Sequence, residues 1–296
     1  MSRQTIVRMA AVNITVFPHP DGVYSQLIRA VRRRKIRKPV WGNRAGVFTH
    51  VWDAPSGELR GVHGTISSFV NFDSASPWFD IETNEEASED ELNRVEVPEN
   101  LRPELRKCEF VLDERNHVLS FNCDPSKGGI APTSMKKFLD KVFAEEHIAE
   151  RFGPVSVNIV HPEESVDEMF ELANIREVFI RANRPNVGDY DGTPFTNLNR
   201  WMEEQNVNTF EQRTVADGSD MVPDEKVKAL ARVADENGFV EIAGRNEFNQ
   251  AVKLSTKQSA PLVEQKTFDA DVTLAVSVFY GIAEKIAQSI RRRRRR

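Results

Sequence analysis

The sequence predicts an α+β (or mixed α/β) protein, with a hairpin-rich mixed-sheet subdomain followed by a smaller strand–helix subdomain. Three observations carry this reading. Short β-branched runs bounded by Pro and Gly fill much of residues 46–123. Apolar residues recur at helical spacing over Val23–Lys38, Pro132–Glu150 and Val272–Ile290. Gly153-Pro154 breaks the chain, and short apolar runs then alternate with helical ones. A length of 296 residues suits about two domains. The division expected is 1–153 for a basic N-terminal segment plus β-rich subdomain, 154–270 for an α/β subdomain, and 271–296 for a C-terminal helix and arginine tail.

Val7–Phe17 reads as a strand because Val12, Ile14, Thr15 and Val16 are β-branched; Pro18, Pro20 and Gly22 end it. In the helix Val23–Lys38, Val23, Leu27, Ile28 and Val31 share one face, and Pro39 is expected to close it. Gly46–Asp53 and Leu59–Phe72 flank the turn residues Pro55-Ser56-Gly57, and acidic Glu82–Glu91 lacks periodicity and reads as an exposed loop. Lys107–Cys123 is the clearest hairpin. A loop at Arg115-Asn116 pairs Glu114 with His117, Leu112 with Leu119, Phe110 with Phe121 and Cys108 with Cys123. Only this register puts the strong hydrophobes on one face and Glu109, Asp113, Ser120 and Asn122 on the other. The two cysteines are then cross-strand neighbours, reduced in a cytosol and able to bridge on oxidation.

Val155–Val160, Glu163–Ala173 and Ile175–Ile180 read as a strand–helix–strand close to the lower limit for a parallel crossover. Phe195–Gln205 and Glu225–Asn237 read as helices with the strand Asn206–Thr214 between them, and Gly238–Ile242 with Ala251–Leu254 as a second hairpin. The last helix feeds six arginines.

Charge is sorted along the chain although its net value is only −5. Residues 1–46 carry ten Lys/Arg against one acid, Asp21, whereas residues 47–284 carry a net −21 and residues 285–296 a net +7. A basic segment beside an acidic body points to contact with a polyanion, or to a basic arm folded back on acidic surface. Arg29, Arg32, Arg33, Arg34, Lys35, Arg37 and Lys38, followed by Trp41 and Arg44, set dense positive charge beside an aromatic ring, a combination suited to phosphates and a stacked base. The tail, with Arg291, Arg292 and Arg293, is expected to be disordered and polyanion-seeking because like charges repel. Its alternatives are an anionic membrane surface and an acidic partner protein.

Catalytic signals are weak. No two histidines lie at ligand spacing on a predicted helix and no Cys-x-x-Cys occurs, so no metal is expected, and no motif calls for a cofactor. His63-Gly64-Thr65 resembles one half of a two-histidine phosphoesterase pattern whose second half is missing. His63 and His117, with Asp113 and the carboxylates Asp73, Asp80 and Glu109 beside Lys107, are the candidates a nuclease would have to use. Lys127-Gly128-Gly129 lacks the rest of a phosphate-binding loop and reads as a turn. The chain shows no secretory leader and no run of about 20 apolar residues, and its two cysteines suit a reducing compartment, so a cytoplasmic protein is expected.

Several phrases occur together: Gly61–Phe72 (GVHGTISSFVNF), Pro77-Trp78-Phe79-Asp80, Val97–Pro103 (VPENLRP), Phe110–Phe121 around His117, Arg184-Pro185-Asn186, Asn237–Glu241 and Leu254–Lys257. In that order, from about Val7 to Glu264, they resemble a bacterial domain-of-unknown-function family, number 4747. The resemblance implies membership in mobile-element and phage-defence neighbourhoods and carries over no catalytic residue. The arginine tail lies outside the pattern. The expected function is therefore a nucleic-acid-binding component of a bacterial anti-phage defence or mobile-element system, its partner RNA or DNA, with a protein partner encoded nearby. The alternatives are a nuclease-type toxin or effector and an interaction module docking on a partner protein or anionic membrane.

Overall fold

The computed structural model describes residues 4–18, 20–54, 59–71, 77–92, 98–185 and 193–294, with backbone alone at 193–197. It is α+β, as the sequence predicts. The long strand β1 (Gln4–Val16) organises a large sheet. Met9 to Asn13 pair with β8 (Val118–Asn122) on one edge. On the other edge Gln4 to Ala10 pair with β14 (Val263–Asp269), and Val12 to Val16 with β9 (Val155–Ile159). From β8 the sheet continues through β7 (Arg106–Asp113), β4 (Gly61–Val70) and β3 (Arg44–Asp53) to the edge strand β2 (Lys38–Trp41). Every pairing is antiparallel.

Both faces are covered at the centre of this sheet. Ala10, Val12, Ile14 and Val16 of β1 enter one core, under α1 (Val23–Arg34), α3 (Pro132–Phe143) and α4 (Glu146–Phe152). The alternate residues Met9 and Ala11 enter a second core under α8 (Ala275–Arg294). The hairpin forms in the expected register, with Phe110 opposite Phe121 and Leu112 opposite Leu119. Its second face is buried as well: Val111 and Val118 pack under α8, and Asp113, Ser120 and Asn122 are covered with them. A small hairpin, β5 (Phe79–Asp80) with β6 (Glu85–Glu86), and the turn of helix α2 (Glu89–Leu92) occupy the exposed acidic segment.

A four-stranded antiparallel sheet follows in the order β11 (Thr209–Val215), β10 (Asn174–Asn183), β12 (Gly238–Arg245), β13 (Ala251–Ser255). Val178, Ile180, Val240 and Ile242 bury one face against α5 (Glu164–Met169) and α7 (Glu225–Asn237), with α6 (Thr193–Glu204) beside α7.

Several expectations are corrected. No parallel crossover joins β9 to β10: β9 pairs with β1 in the large sheet and β10 belongs to the other, because the short helix α5 turns the chain into a new layer. Sheet membership therefore crosses Gly153, and β14 returns the chain to the first sheet after the second is complete. The basic helix stops at Arg34, where Lys35 adopts φ 51° and its N–H closes on the Arg32 carbonyl. Pro39 sits in β2, an edge strand, where a missing N–H is tolerated. A break at Ala144 divides Pro132–Glu150 into α3 and α4. Arg291 to Arg294 are the last turn of α8 and not a disordered tail, because carboxylates and carbonyls of distant segments hold the final two guanidiniums. Arg295 and Arg296 lie outside the described residues. Among the described residues no helix is long and apolar enough to cross a membrane.

Candidate nucleic-acid interface

The basic segment builds a groove of about 1110 Å³ at the β2 edge of the large sheet. One wall is the end of α1 and the turn after it. Val23, Tyr24, Leu27, Ile28 and Val31 hold that helix on the sheet, which leaves Arg32, Arg33 and Arg34 on its exposed side. Three cations in the last turn also suit the negative end of the helix dipole. Ile36 is buried beyond the αL residue, so Lys35 and Arg37 point outward on either side of it. The floor is β3, where a bulge between Phe48 and His50 adds Thr49, whose carbonyl accepts from Arg32 Nε at 3.3 Å.

The opposite wall is the segment 99–105, which Arg44 positions. This guanidinium is 7% exposed and donates to Glu104 Oε2 at 2.9 Å, the Glu104 carbonyl at 2.5 Å and the Ser68 carbonyl at 3.3 Å. Val70 N–H donates to the Pro103 carbonyl and Asn71 N–H to that of Asn43, closing the same wall. Arg44 is thus engaged in construction, and its charge is matched by Glu104. Arg29 is likewise matched, by Asp53 at 2.6 Å.

The remaining cations differ. Among the described residues no carboxylate pairs with Arg33, Lys35, Arg37 or Lys38, all of which line the groove. Glu99 is the acid of its lining, whereas Asn43, Asn71 and Asn100 add amides, and Phe69, Leu101 and Leu105 add apolar surface. Leu101 and Leu105 are more than half exposed, as is Trp41 on the neighbouring strand at 70%. Arg34 is exposed beside this lining, not within it.

The second basic cluster is not joined to the first, because α1 and α8 cover opposite faces of the sheet. Arg292 is exposed and Arg291 partly covered. Arg293 donates to the His161 carbonyl at 2.7 Å and lies 3.9 Å from Glu163. Arg294 is buried, its guanidinium on Glu236 Oε2 at 2.8 Å, the Asn116 carbonyl at 3.0 Å and Asn13 Oδ1 at 3.2 Å. It belongs to a polar seam between the sheets that the sequence did not disclose. Asn13 Nδ2 donates to the Glu236 carbonyl and Asn237 Oδ1, and His161 Nδ1 meets Asp235 at 2.8 Å.

The catalytic candidates are not assembled. His63 lies on the α8 face, bonded to the Tyr280 hydroxyl at 2.7 Å and packed against Trp52. Burial pushes its pKa below the usual imidazole value, while the Asp53 charge opposes that shift. His117 stacks on Tyr24 of α1, across the sheet, with ring centroids 4.5 Å apart. Asp113 is buried, accepting from Asn116 Nδ2 and the Arg60 N–H. Asp73 lies outside the described residues. Among the described residues no three His, Cys, Asp or Glu side chains gather closely enough to hold a metal ion. Gly64, central to the His63-Gly64-Thr65 phrase, serves packing: a Cβ there would stand 1.9 Å from the His50 carbonyl oxygen, beside the bulge. Lys127 donates to Thr5 Oγ1 and the Ile6 carbonyl from a turn closed by Gly128.

Residues 5–284 match the family model described as Domain of unknown function (DUF4747). The chain belongs to this family. The matched region of the DUF4747 chain holds both sheets and the whole groove, and it ends within α8, ten residues before Arg294. No curated protein matches the chain.

Proposed function

We propose that this DUF4747 protein is a nucleic-acid-binding component acting in the anti-phage or mobile-element setting that the family resemblance implies, and that the groove between α1 and residues 99–105 holds the nucleic acid. The observation that carries this reading is the set of unmatched cations, Arg33, Lys35, Arg37 and Lys38, in a wide groove whose lining includes Glu99 as its acid. They lie in a chain whose residues 47–284 carry a net −21. Phosphates neutralise such cations and release counterions, while apolar side chains and amides accept sugars and base edges. The sorting of charge steers a polyanion first toward the basic N-terminal face.

The test is a salt titration of binding to labelled single-stranded RNA and double-stranded DNA, using the full chain and the triple variant Arg33→Glu, Lys35→Glu, Arg37→Glu. Every phosphate that the variant no longer neutralises should lower the log–log salt slope by about 0.7–0.9, so the variant should show a slope smaller by roughly two to three and bind more weakly at every salt concentration. An Arg292→Glu control should behave as the parent. An unchanged slope in the triple variant removes the groove. Failure of the parent to bind either nucleic acid at low salt removes the function.

A further inference from the structure

The four-stranded sheet packs helices on one face and leaves the other uncovered among the described residues. Strand alternation turns Glu177, Phe179 and Arg181 of β10, and Phe239 and Glu241 of β12, toward that open face. The two central strands thus each bring a phenylalanine to it. Arg181 stands opposite Phe239 in the register and Glu241 opposite Phe179, so the rings meet on the diagonal, 5.7 Å apart at 45°. Lys257 Nζ lies 3.2 Å from the Phe239 centroid. Arg181, Arg213, Lys253 and Lys257 surround the pair, with side chains 46%, 65%, 65% and 54% exposed, and Arg181 is ion-paired with Glu211 of β11 at 3.1 Å.

Phe179 and Phe239 are half-buried against one another and the side chains around them, but they lie outside the core, which is on the opposite face. The carboxylates among them set the cations in place. Glu177 takes Arg213 through two bonds, 3.0 and 2.8 Å, holding it beside Phe179, its register partner. Glu241 receives Lys253 at 2.7 Å and lies 3.6 Å from Lys257. A partner protein docking through apolar surface would find, among the described residues, two rings enclosed by charge and Val215 at the β11 edge. Unpaired bases fit better: their faces stack on aromatic rings and their phosphates meet the surrounding cations, and a sheet with aromatics on its central strands presents both.

We propose that this face is a second nucleic-acid surface, selective for unpaired strands, on which Phe179 and Phe239 stack successive bases while Arg181, Arg213, Lys253 and Lys257 leave their exposed ion pairs, and Lys257 its place on the Phe239 ring, to meet phosphates. It stands on its own observations and does not require the groove.

The experiment uses the full chain with fluorescein-labelled 12-nucleotide single-stranded RNA, single-stranded DNA and duplex DNA, read by anisotropy. Phe179→Ala with Phe239→Ala should weaken single-strand binding at least about fivefold, the lower bound for one stacked base, and leave duplex binding unchanged. Comparison of the RNA and DNA arms identifies the preferred sugar. The groove triple variant is measured in parallel: weaker binding there with none in the Phe variant overturns the platform alone, and the reverse overturns the groove alone. Circular dichroism checks folding. Should the Phe variant unfold, photocrosslinking of the parent to 4-thiouridine RNA decides: adducts on the peptides bearing Phe179 or Phe239 support the platform, and adducts confined to other peptides overturn it.

Discussion

Removing the Arg294 guanidinium should loosen the seam between the two sheets. Its side chain is 4% exposed and that of its partner Glu236 is 10% exposed, so the pair is largely shielded from water. Truncation at Arg294 leaves a carboxylate, an amide oxygen and a carbonyl without their donor. Breaking a buried pair by removing one member costs about 3–5 kcal/mol, because the survivor stays buried with its charge uncompensated. Glu236 retains other interactions, which places Arg294→Met near the lower figure. At roughly 2–4 °C per kcal/mol for a large domain, the melting temperature should fall by at least about 6 °C. Exposed Arg292→Met should stay within about 0.5 kcal/mol of the parent. The sharper check is Glu236→Gln in the Arg294→Met background. If an uncompensated carboxylate causes the destabilisation, the neutral amide should recover part of it, with a coupling of about 1 kcal/mol in the double-mutant cycle. Equal melting temperatures for Arg294→Met and the parent, or no coupling, would refute the reasoning.

Two further outcomes follow from the structure. His63 has its folded-state pKa lowered by burial from 6.5, so below that pH the unfolded chain takes up the proton first; His63 then contributes stability that is present above pH 6.5 and is lost as pH falls toward its folded pKa. NMR titration should place its midpoint below 6.5, and His63→Gln should flatten the fall in melting temperature between pH 7.5 and 5; a midpoint at or above 6.5 contradicts this. Burial raises the Cys123 thiol to about 11 and that of fully buried Cys108 further still, so at pH 8 both should react with a thiol reagent far more slowly in the native protein than in urea. Two thiols modified at the rate of free cysteine in the native state would count against it.

The hairpin of β7 and β8 is legible in the sequence because one register alone sorts its side chains, and a slip of one residue would put Phe110 and Phe121 on opposite faces of the sheet. That its other face is also buried is not legible, since the cover comes from α8, more than 150 residues away. The same distance hides the fate of β9. Its local pattern is that of any short strand, and only the uncommitted edge of β1 beyond Ala10 decides that it pairs there. In the groove, the cations are visible in sequence but the wall is not, because that wall exists only where Arg44 reaches Glu104. The platform is hidden for a similar reason: Phe179 and Phe239 become neighbours only through the β10–β12 register.

The two basic helix ends show why charge density alone is a poor guide to a polyanion surface. α1 and α8 are both amphipathic and both finish in consecutive arginines. Nothing local separates them, and sequence alone assigns both the same role. Across from α8 stand Glu163, Glu236 and free carbonyls, which bind Arg293 and Arg294 into the seam. Across from α1 stand asparagines, leucines and Glu99, which leave Arg33, Lys35 and Arg37 unmatched. A guanidinium bound to buried carboxylates would have to leave them before it could meet a phosphate, and breaking such an ion pair opposes what the phosphate returns. An exposed, unmatched guanidinium exchanges only water and counterions. The discriminating quantity is therefore the state of each cation in the folded chain, and by that measure the end of α1 has the cations free to serve the proposed groove, whereas the end of α8 carries the structure.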